Sequence, residues 1–226
     1  MGRHAVALLV LGLAILGTHL GCSSPPEGSP EWYFKRAYDL ANQGLYEEAE
    51  AEYTKVLEGN PTNTTKTQAY INRAAAYNSL QRWEEAISDS TEAINLDPES
   101  TLAYLNRAMA YNDTEEYALA VADFSKIIEL DDTIAEAYIH RADAYLNMEE
   151  FQKAIADCTK ALDIDPEQTL AYFNRGLAHK GLGLTEEAIS DFEDFVMLVD
   201  SPAWIERASQ EIESLLGEKA ESEAMD

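Results

Sequence analysis

Few side chains in this sequence have the chemistry that catalysis requires. Beyond residue 22 there are two histidines, His140 and His179, and one cysteine, Cys158. The chain contains no glycine-rich phosphate loop, no nucleophile elbow and no Cys/His cluster with metal-ligand spacing. His140 and Asp143 share one helix face at i and i+3, but a metal site needs more than two such ligands. We therefore expect no enzymatic activity, no metal and no cofactor.

Charged side chains recur in a regular pattern. Four arginines recur with a period of 34, and an aspartate follows each of them at an offset of 16: Arg73 and Asp89, Arg107 and Asp123, Arg141 and Asp157, and Arg175 and Asp191. Arg36 and Glu52 repeat the relation. In a pair of antiparallel helices this offset places the two side chains opposite one another, and a guanidinium binds a carboxylate through paired hydrogen bonds. We expect a structural salt bridge within each repeat.

These arginines belong to a repeat that runs through most of the chain. Four tyrosines with the same period each begin a near-copy of one sequence: Tyr70 (Y-I-N-R-A), Tyr104 (Y-L-N-R-A), Tyr138 (Y-I-H-R-A) and Tyr172 (Y-F-N-R-G). Apolar residues within each copy lie three or four apart, which is the spacing of an amphipathic helix. A single helix pair cannot bury its apolar face, so the copies must stack on one another.

The repeating residues resemble the tetratricopeptide repeat (TPR), a helix-turn-helix unit of the same period with aromatic, small and proline residues at fixed offsets. The second copy fills these offsets with Tyr70, Ala74, Tyr77, Trp83, Ala86 and Pro98. The resemblance implies an all-α fold: a right-handed α-α superhelix, or TPR solenoid, of five helix pairs with a C-terminal capping helix. The expected segments are units at about 30–61, 67–98, 101–132, 135–166 and 169–200, a cap at 201–217 and an acidic tail at 218–226.

The resemblance also implies a concave groove that binds a peptide. A column of Asn72, Asn106 and Asn174, with His140 in the remaining slot, falls on the first helix of each unit. An asparagine amide both donates and accepts, so two interpretations stay open: a ladder that binds a peptide backbone, and hydrogen bonds between helices of the stack. The full set of groove candidates is Asn72, Asn106, His140, Asn174, Met109, Asp113, Asp143 and Asn147.

The residues expected in the groove predict the charge of the partner segment. TPR modules that clamp a C-terminal carboxylate use lysine and arginine in slots that here hold Phe34, Ile71, Leu102 and Leu105. We therefore expect no carboxylate clamp. Because Asp113 and Asp143 would repel an anionic terminus, the partner segment is expected to be neutral or basic.

Residues 1–22 have the features of a targeting segment. Arg3 precedes an apolar run, Ala5–Leu16, that is shorter than the ~20 residues of a membrane-spanning helix. The sequence through Cys22 and Ser23 resembles a bacterial lipoprotein signal sorted to the outer membrane. Residues 1–21 would be the signal peptide, Cys22 the lipidated residue and 22–30 a flexible linker. His19 departs from this pattern, and secretion with cleavage nearby or an uncleaved short anchor are the alternatives.

The charge of the chain limits its partners. There are 42 aspartates and glutamates against 16 lysines and arginines, a formal net charge of −26. Nucleic acid is excluded as a direct partner because phosphate binding needs a basic surface, and membrane contact is expected only through a lipid anchor at Cys22. Two origins of the acidity stay open: binding to a basic partner and adaptation to high salt.

These features together predict a non-enzymatic protein–protein interaction scaffold of the bacterial cell envelope. The protein would be an outer-membrane lipoprotein facing the periplasm, with a peptide segment of its partner in the TPR groove. The alternative is a self-associating structural lipoprotein of an envelope assembly machine, a homodimer paired through the uncovered Trp32, Tyr33 and Phe34.

Overall fold

The computed structural model describes the backbone of residues 25–225 and the side chains of residues 25–220. The expected signal peptide, Cys22 and the first part of the expected linker lie outside the described residues. No helix in the described range is long and apolar enough to cross a membrane.

Between residues 25 and 225 the chain forms eleven α-helices and no strand, so the predicted all-α fold is confirmed. The helices are α1 (Pro30–Asn42), α2 (Tyr46–Glu58), α3 (Asn63–Ser79), α4 (Trp83–Leu96), α5 (Thr101–Asp113), α6 (Tyr117–Leu130), α7 (Ala135–Asn147), α8 (Phe151–Ile164), α9 (Thr169–Gly181), α10 (Thr185–Leu198) and α11 (Pro202–Met225). Odd-numbered helices α1 to α9 are the first helices of the five sequence repeats, and even-numbered helices are the second.

The two kinds of helix begin differently. The first helices α1, α3 and α5 begin after Ser29, Thr62 and Ser100, whose hydroxyls accept hydrogen bonds from backbone N–H groups in the first turn. No second helix has a side-chain cap. Instead, α2, α4 and α10 each carry two glutamates in the first turn, where a negative charge stabilises the positive end of the helix dipole.

The turn between the helices of a pair requires one residue in the left-handed region. The residues in this position are Gly44 (φ 76°), Gln81 (58°), Glu115 (65°), Glu149 (59°) and Gly183 (72°). Glycine adopts this conformation freely, whereas a residue with a Cβ pays a steric penalty. The left-handed turn residue is therefore present even in the three turns where it is not glycine: Gln81, Glu115 and Glu149.

The helices form two compact units, residues up to Thr114 (unit 1) and residues from Glu115 (unit 2). In unit 1, Ala37 and Ala49 are fully buried beside Tyr53 and Val56, in a cluster that also includes Ala69 of α3. Alanine at these points lets adjacent helices approach closely, so the first helix pair packs on the second.

In unit 2 the last helix pair has the most aromatic core. Phe173 of α9 lies 5.0 Å from Phe195 of α10 and 5.2 Å from Trp204 of α11, measured between ring centroids. A Cβ on Gly176 would lie 2.9 Å from the ring of Phe192, so only glycine fits at this crossing.

α11 is longer than the capping helix expected from the sequence. It continues through residue 217 to Met225, across most of the segment predicted as an acidic tail. No proline follows Gly217, and Lys219 Nζ donates to Glu186 Oε1 of α10 at 2.7 Å. This contact and the alanines of the segment favour continued helix.

Candidate peptide-binding faces

The arginine column lies between the two helices of each pair. Arg73 Nε lies 2.6 Å from Asp89 Oδ2, Arg141 Nε lies 2.7 Å from Asp157 Oδ2, and Arg175 Nη2 lies 2.6 Å from Asp191 Oδ1. The carboxylates are buried, and each pair has further hydrogen bonds between the two side chains. The first repeat has a looser version, with Arg36 Nε 3.7 Å from Glu52 Oε1. The guanidiniums of Arg73, Arg141 and Arg175 are held inside the scaffold, whereas Arg36 is exposed.

Each arginine of the column also reaches a hydroxyl on the preceding second helix, which the sequence analysis missed. Arg73 donates to Thr54, Arg107 to Thr91, Arg141 to Ser125 and Arg175 to Thr159, at 2.8, 3.1, 2.9 and 3.4 Å. A column of hydroxyl residues with the period of the repeat was the available signal. The remaining arginine–aspartate pair of the column is divided between the two units. Arg107 belongs to unit 1, and Asp123, which is buried in α6, belongs to unit 2.

In unit 1 the asparagine column is used within the stack. Asn106 Nδ2 of α5 donates to the backbone oxygen of Ile71 in α3 at 2.9 Å. In return, Asn78 Nδ2 of α3 donates to the backbone oxygen of Asn106 at 2.9 Å. Asn72 Nδ2 donates to Gln68 O of its own helix at 2.8 Å. The amide donors of unit 1 therefore bind its own backbone.

In unit 2 the same column makes different contacts. The ring of His140 in α7 stacks on Phe124 of α6, with centroids 5.7 Å apart and planes 19° apart. Burial lowers the pKa of His140, partly offset by the Glu136 carboxylate, so the imidazole is neutral near pH 7. Asn174 of α9 is 9% exposed, and its amide makes no hydrogen bond to any residue between 25 and 220.

The remaining candidates lie on the same helices. Met109 and Asp113 are half-buried on α5, and Asp143 is half-buried on α7. Asn147 is exposed near the end of α7, and its Nδ2 donates to the backbone oxygen of Asp143 at 2.8 Å.

α11 packs against α10 and reaches α9 through side-chain contacts. Lys180 Nζ of α9 donates to Glu211 Oε2 of α11 at 2.7 Å, and Phe173 contacts Trp204. The Arg207 guanidinium lies 5.0 Å from the ring centroid of Phe173 and 5.1 Å from that of Trp204. We call the following side chains of the first helices α7 and α9 the unit 2 groove face: Glu136, His140, Asp143, Asn147, Leu170, Asn174 and Leu177.

Acidic residues are concentrated on the second helices. α10 carries Glu186, Glu187, Asp191, Glu193 and Asp194 and no lysine or arginine. Its partner α9 carries Arg175 and Lys180 and no acid. α4 and α3 show the same contrast. The net negative charge of these helix pairs therefore lies on the second helices. The first helices, which carry the groove candidates, contribute little of it.

The end of unit 1 formed by α1 is partly covered. Phe34 is buried against Tyr53, with ring centroids 5.7 Å apart, so it belongs to the core and the expectation that it is uncovered is wrong. Trp32 remains half-exposed and lines a cavity of about 320 Å³ with Lys35, Arg36 and Leu40.

The described side chains contain no cluster of three His, Cys, Asp or Glu residues that could hold a metal ion. Cys158, the free cysteine of this range, is fully buried, and burial raises its thiol pKa to about 12. The thiol is a packed core group with little thiolate at neutral pH.

The fold and these faces define a class: helical hairpins of one repeating design, with buried arginine–aspartate pairs and small residues at the crossings. Models of the tetratricopeptide repeat match residues 34–90, 102–133, 135–168 and 170–198. The chain belongs to the tetratricopeptide repeat family.

Curated relatives match over short stretches. The human mitochondrial import receptor subunit TOM70 is 41% identical over 58 residues, which are 25% of this chain and 10% of that protein. The small glutamine-rich tetratricopeptide repeat-containing protein 2 of Saccharomyces cerevisiae is 39% identical over 80 residues, 32% of this chain and 22% of that protein. The chain thus spans a small part of these relatives' lengths.

Solved structures match over more of the chain. A crystal structure of MamA has 27% identity and a TM-score of 0.66, covering 72% of this chain and 93% of its own. A TPR protein from Parabacteroides merdae has 18% identity and a TM-score of 0.74, covering 86% and 76%. YrrB, described as a TPR protein with an unusual peptide-binding site, has 18% identity and a TM-score of 0.67, covering 82% and 94%. At 18% identity the last two show the fold alone.

Proposed function

We propose that this TPR protein is a non-enzymatic scaffold that binds an extended segment of a partner protein on the unit 2 groove face. Membership of the TPR family supports a role in protein–protein interaction. The observation that carries the finer proposal is Asn174, a residue that is 9% exposed and whose amide has no hydrogen-bond partner between residues 25 and 220.

An amide in this state favours a ligand with backbone-like groups. Neither amide atom of Asn174 is fully buried, so the amide is open to a ligand, and a peptide backbone offers both a donor and an acceptor that match it. Leu170 and Leu177, which lie one turn to either side of Asn174 on α9, are half-buried and supply apolar contact. The face therefore combines apolar surface with an amide that does not discriminate between side chains.

The proposed location is the bacterial cell envelope, with a lipid anchor at Cys22 and the repeats facing the periplasm. Its support is the sequence of residues 1–23. Tethering would raise the effective concentration of the scaffold near envelope partners. Mass spectrometry of the mature N-terminus tests this proposal: a chain beginning at a diacylglyceryl-modified Cys22 is expected, and an unmodified Cys22 would contradict it.

Site-specific photo-crosslinking in the native envelope tests the binding face. A photoreactive residue at Asn147 on the groove face is expected to give a discrete adduct with a partner. The same residue at Glu193, which is exposed on α10 of the same unit, serves as the control and is expected to give none. Adding Asn174→Ala should reduce the Asn147 adduct, whereas adding Asn72→Ala should leave it unchanged. Equal adducts from both positions would contradict the proposal.

Self-association is the second candidate, favoured by the cavity that Trp32 and Leu40 line at the end of unit 1. A cavity with an aromatic wall and two cations on its rim could receive a second copy of the chain. Light scattering over a concentration series is expected to show a dimer that Trp32→Ala weakens. A strict monomer at every concentration would exclude this candidate.

A further inference from the structure

We infer that the exposed face of α1 pairs with the same face of a second copy of the chain, with the two helices antiparallel. The inference rests on the second candidate function, self-association, and specifies its interface. It concerns unit 1 and is independent of peptide binding on the unit 2 groove face.

The exposed face of α1 is a single row of side chains, Trp32, Arg36, Asp39 and Gln43, which we call the α1 stripe. Their spacing of four, three and four residues places them along one side of the helix, as in the seam of a coiled coil. All four line the cavity at the end of unit 1. Trp32 is half-exposed and the other three are exposed, so the stripe is open to a partner.

In the other repeats the same row faces the second helix of the preceding repeat. Its arginine reaches a hydroxyl on that helix, as Arg73 of α3 reaches Thr54 of α2 at 2.8 Å. The positions equivalent to Trp32 and Asp39 hold alanines that are at most 2% exposed: Ala69, Ala76, Ala103, Ala110, Ala137, Ala144, Ala171 and Ala178. In the described range, residues 25–225, no second helix precedes α1.

The residues of the α1 stripe argue against a further tetratricopeptide hairpin as the occupant. In place of two alanines, α1 carries a tryptophan and an aspartate. A second helix packed as closely as α2 packs on α3 would overlap the Trp32 ring and remove the Asp39 carboxylate from water, and both are unfavourable. The occupant must therefore match an aromatic ring and two charges.

The two charges of the stripe are available to a partner. Asp39 forms no ion pair with a residue between 25 and 220. The Arg36 side chain is 56% exposed, and its Nε lies 3.7 Å from Glu52 Oε1, farther than in the other described pairs of the column. Glu52 also binds Lys55 Nζ at 2.7 Å, so it keeps a partner when Arg36 turns outward.

The order of the residues makes the α1 stripe complementary to itself. When two copies of α1 lie antiparallel about a two-fold axis midway between residues 37 and 38, position 32 faces position 43 and position 36 faces position 39. Arg36 of each copy then faces Asp39 of the other, and Trp32 of each copy faces Gln43 of the other. A parallel pairing would instead place Arg36 against Arg36. Charge complementarity therefore favours a second copy in the antiparallel orientation.

The interface is small, which sets the expected affinity. α1 has 13 residues and is about 20 Å long. Two such helices bury less than about 1,200 Å², the lower end of the range for stable complexes. We expect a weak dimer whose population depends on concentration.

Charge reversal in the full-length protein tests the pairing. In a homodimer, Arg36→Asp places two acidic side chains opposite one another at each contact, and Asp39→Arg places two basic ones. Sedimentation velocity over a concentration series should show a dimer of the original protein at physiological salt, where repulsion between two chains of net charge −26 is screened beyond about 8 Å. Each variant should raise the dimer dissociation constant about tenfold or more.

An equimolar mixture of the two variants separates the interface from a general effect of charge. In the mixed dimer both contacts join opposite charges, so it should form about as tightly as the original dimer although neither variant pairs well with itself. Glu99→Arg is the matched control, because it makes the same charge change as Asp39→Arg at an exposed position of unit 1 outside the stripe. It should leave the dissociation constant unchanged.

Far-UV circular dichroism checks that each variant is folded, because Arg36→Asp places a carboxylate beside Glu52. If this variant loses helicity, Arg36→Gln replaces it, and its mixture with Asp39→Arg should form more dimer than Asp39→Arg alone. If the original protein dimerises but the variants leave the dimer intact, or the mixture does not recover it, the antiparallel interface is wrong while self-association stands. A strict monomer at every concentration would show that both are wrong.

Discussion

The groove-side faces of the two units carry the same column of residues and use it differently. In unit 1 the amide of Asn106 donates to Ile71 of the neighbouring first helix, and Asn78 donates back to the backbone of Asn106. In unit 2 the equivalent of Asn106 is Asn174, whose amide has no hydrogen-bond partner between residues 25 and 220. The residue of α7 that corresponds to Asn78 is Leu146, which has no side-chain amide to donate back.

A residue that recurs with the period of the repeat does not always have the same role in each repeat. In three repeats the arginine column makes the same two contacts, with the carboxylate at the fixed offset and with a hydroxyl of the preceding second helix. The asparagine column differs from repeat to repeat: Asn72 binds its own helix, Asn106 binds the neighbouring first helix and His140 stacks on Phe124. Regularity of structure thus identifies the scaffold, and its loss in unit 2 supports the proposal that this face binds a ligand.

Removing a buried carboxylate should have the largest effect and should be similar in both units. We expect Asp191→Ala in unit 2 to lower the free energy of unfolding by about 3–5 kcal/mol, because a half-buried Arg175 loses its partner. Asp89→Ala in unit 1 is the matched change, with a somewhat smaller loss because Asp191 also binds His179 Nδ1 at 2.8 Å. Urea unfolding measures both. A cost below about 1 kcal/mol in either unit would show that the pairs are not part of the scaffold.

Adding one methyl group at Gly176 tests the close helix crossing in the last repeat of unit 2. Gly176→Ala places a Cβ 2.9 Å from Phe192, and we expect a loss of about 1–3 kcal/mol from the displaced ring. The equivalent positions of the second repeat, in unit 1, hold Ala74 and Ser90, where a smaller side chain replaces the phenylalanine. The combination Gly176→Ala with Phe192→Ser should therefore cost less than the sum of the two single changes in thermal unfolding. Strict additivity would contradict the crossing geometry.

The asparagines test the comparison itself. Asn106→Ala removes a hydrogen bond between helices and leaves a backbone carbonyl without its donor, so we expect a loss of about 1–2 kcal/mol. Asn174→Ala removes no hydrogen bond to a described residue, and we expect a change below about 0.5 kcal/mol. Equal losses of unfolding free energy for the two variants, measured by urea unfolding, would contradict the proposed difference between Asn106 and Asn174.

The smallest effect should be a gain, equal in the two units. Gln81→Gly in unit 1 and Glu149→Gly in unit 2 replace residues with φ values of 58° and 59°. Relief of the left-handed strain exceeds the entropy cost of glycine, and we expect each change to stabilise the protein by about 0.5 kcal/mol. Gly183→Ala, at a φ of 72°, is the matched reversal and should destabilise. A loss of stability in Gln81→Gly would contradict the turn geometry.

Much of the fold follows from residue spacing. The period of 34 predicts the helix pairs because tyrosine and alanine recur at points where helices touch. The offset of 16 between Arg73 and Asp89 matches a helical hairpin, and these side chains are in contact. The hydroxyl column that the arginines reach was equally visible in the sequence.

The groove contacts could not be predicted in the same way. Asn106 and Asn174 have nearly identical sequence neighbours, and their contacts differ because packing of neighbouring helices decides which backbone oxygen lies within 2.9 Å. The role of α11 was also hidden, since the cap has no repeat signature and its contacts with α9 depend on Lys180 and Phe173.

The central claim is that unit 2, and not unit 1, presents an available amide to a peptide. The most direct measurement is a ¹⁵N NMR titration that follows the side-chain amide resonances of Asn174 and Asn106 as a short serine–threonine peptide with blocked ends and one central leucine is added. The account predicts that the Asn174 resonances shift in a saturable way while those of Asn106 stay in place. A shift of Asn106 alone, or no shift of either residue at saturating peptide, would contradict it.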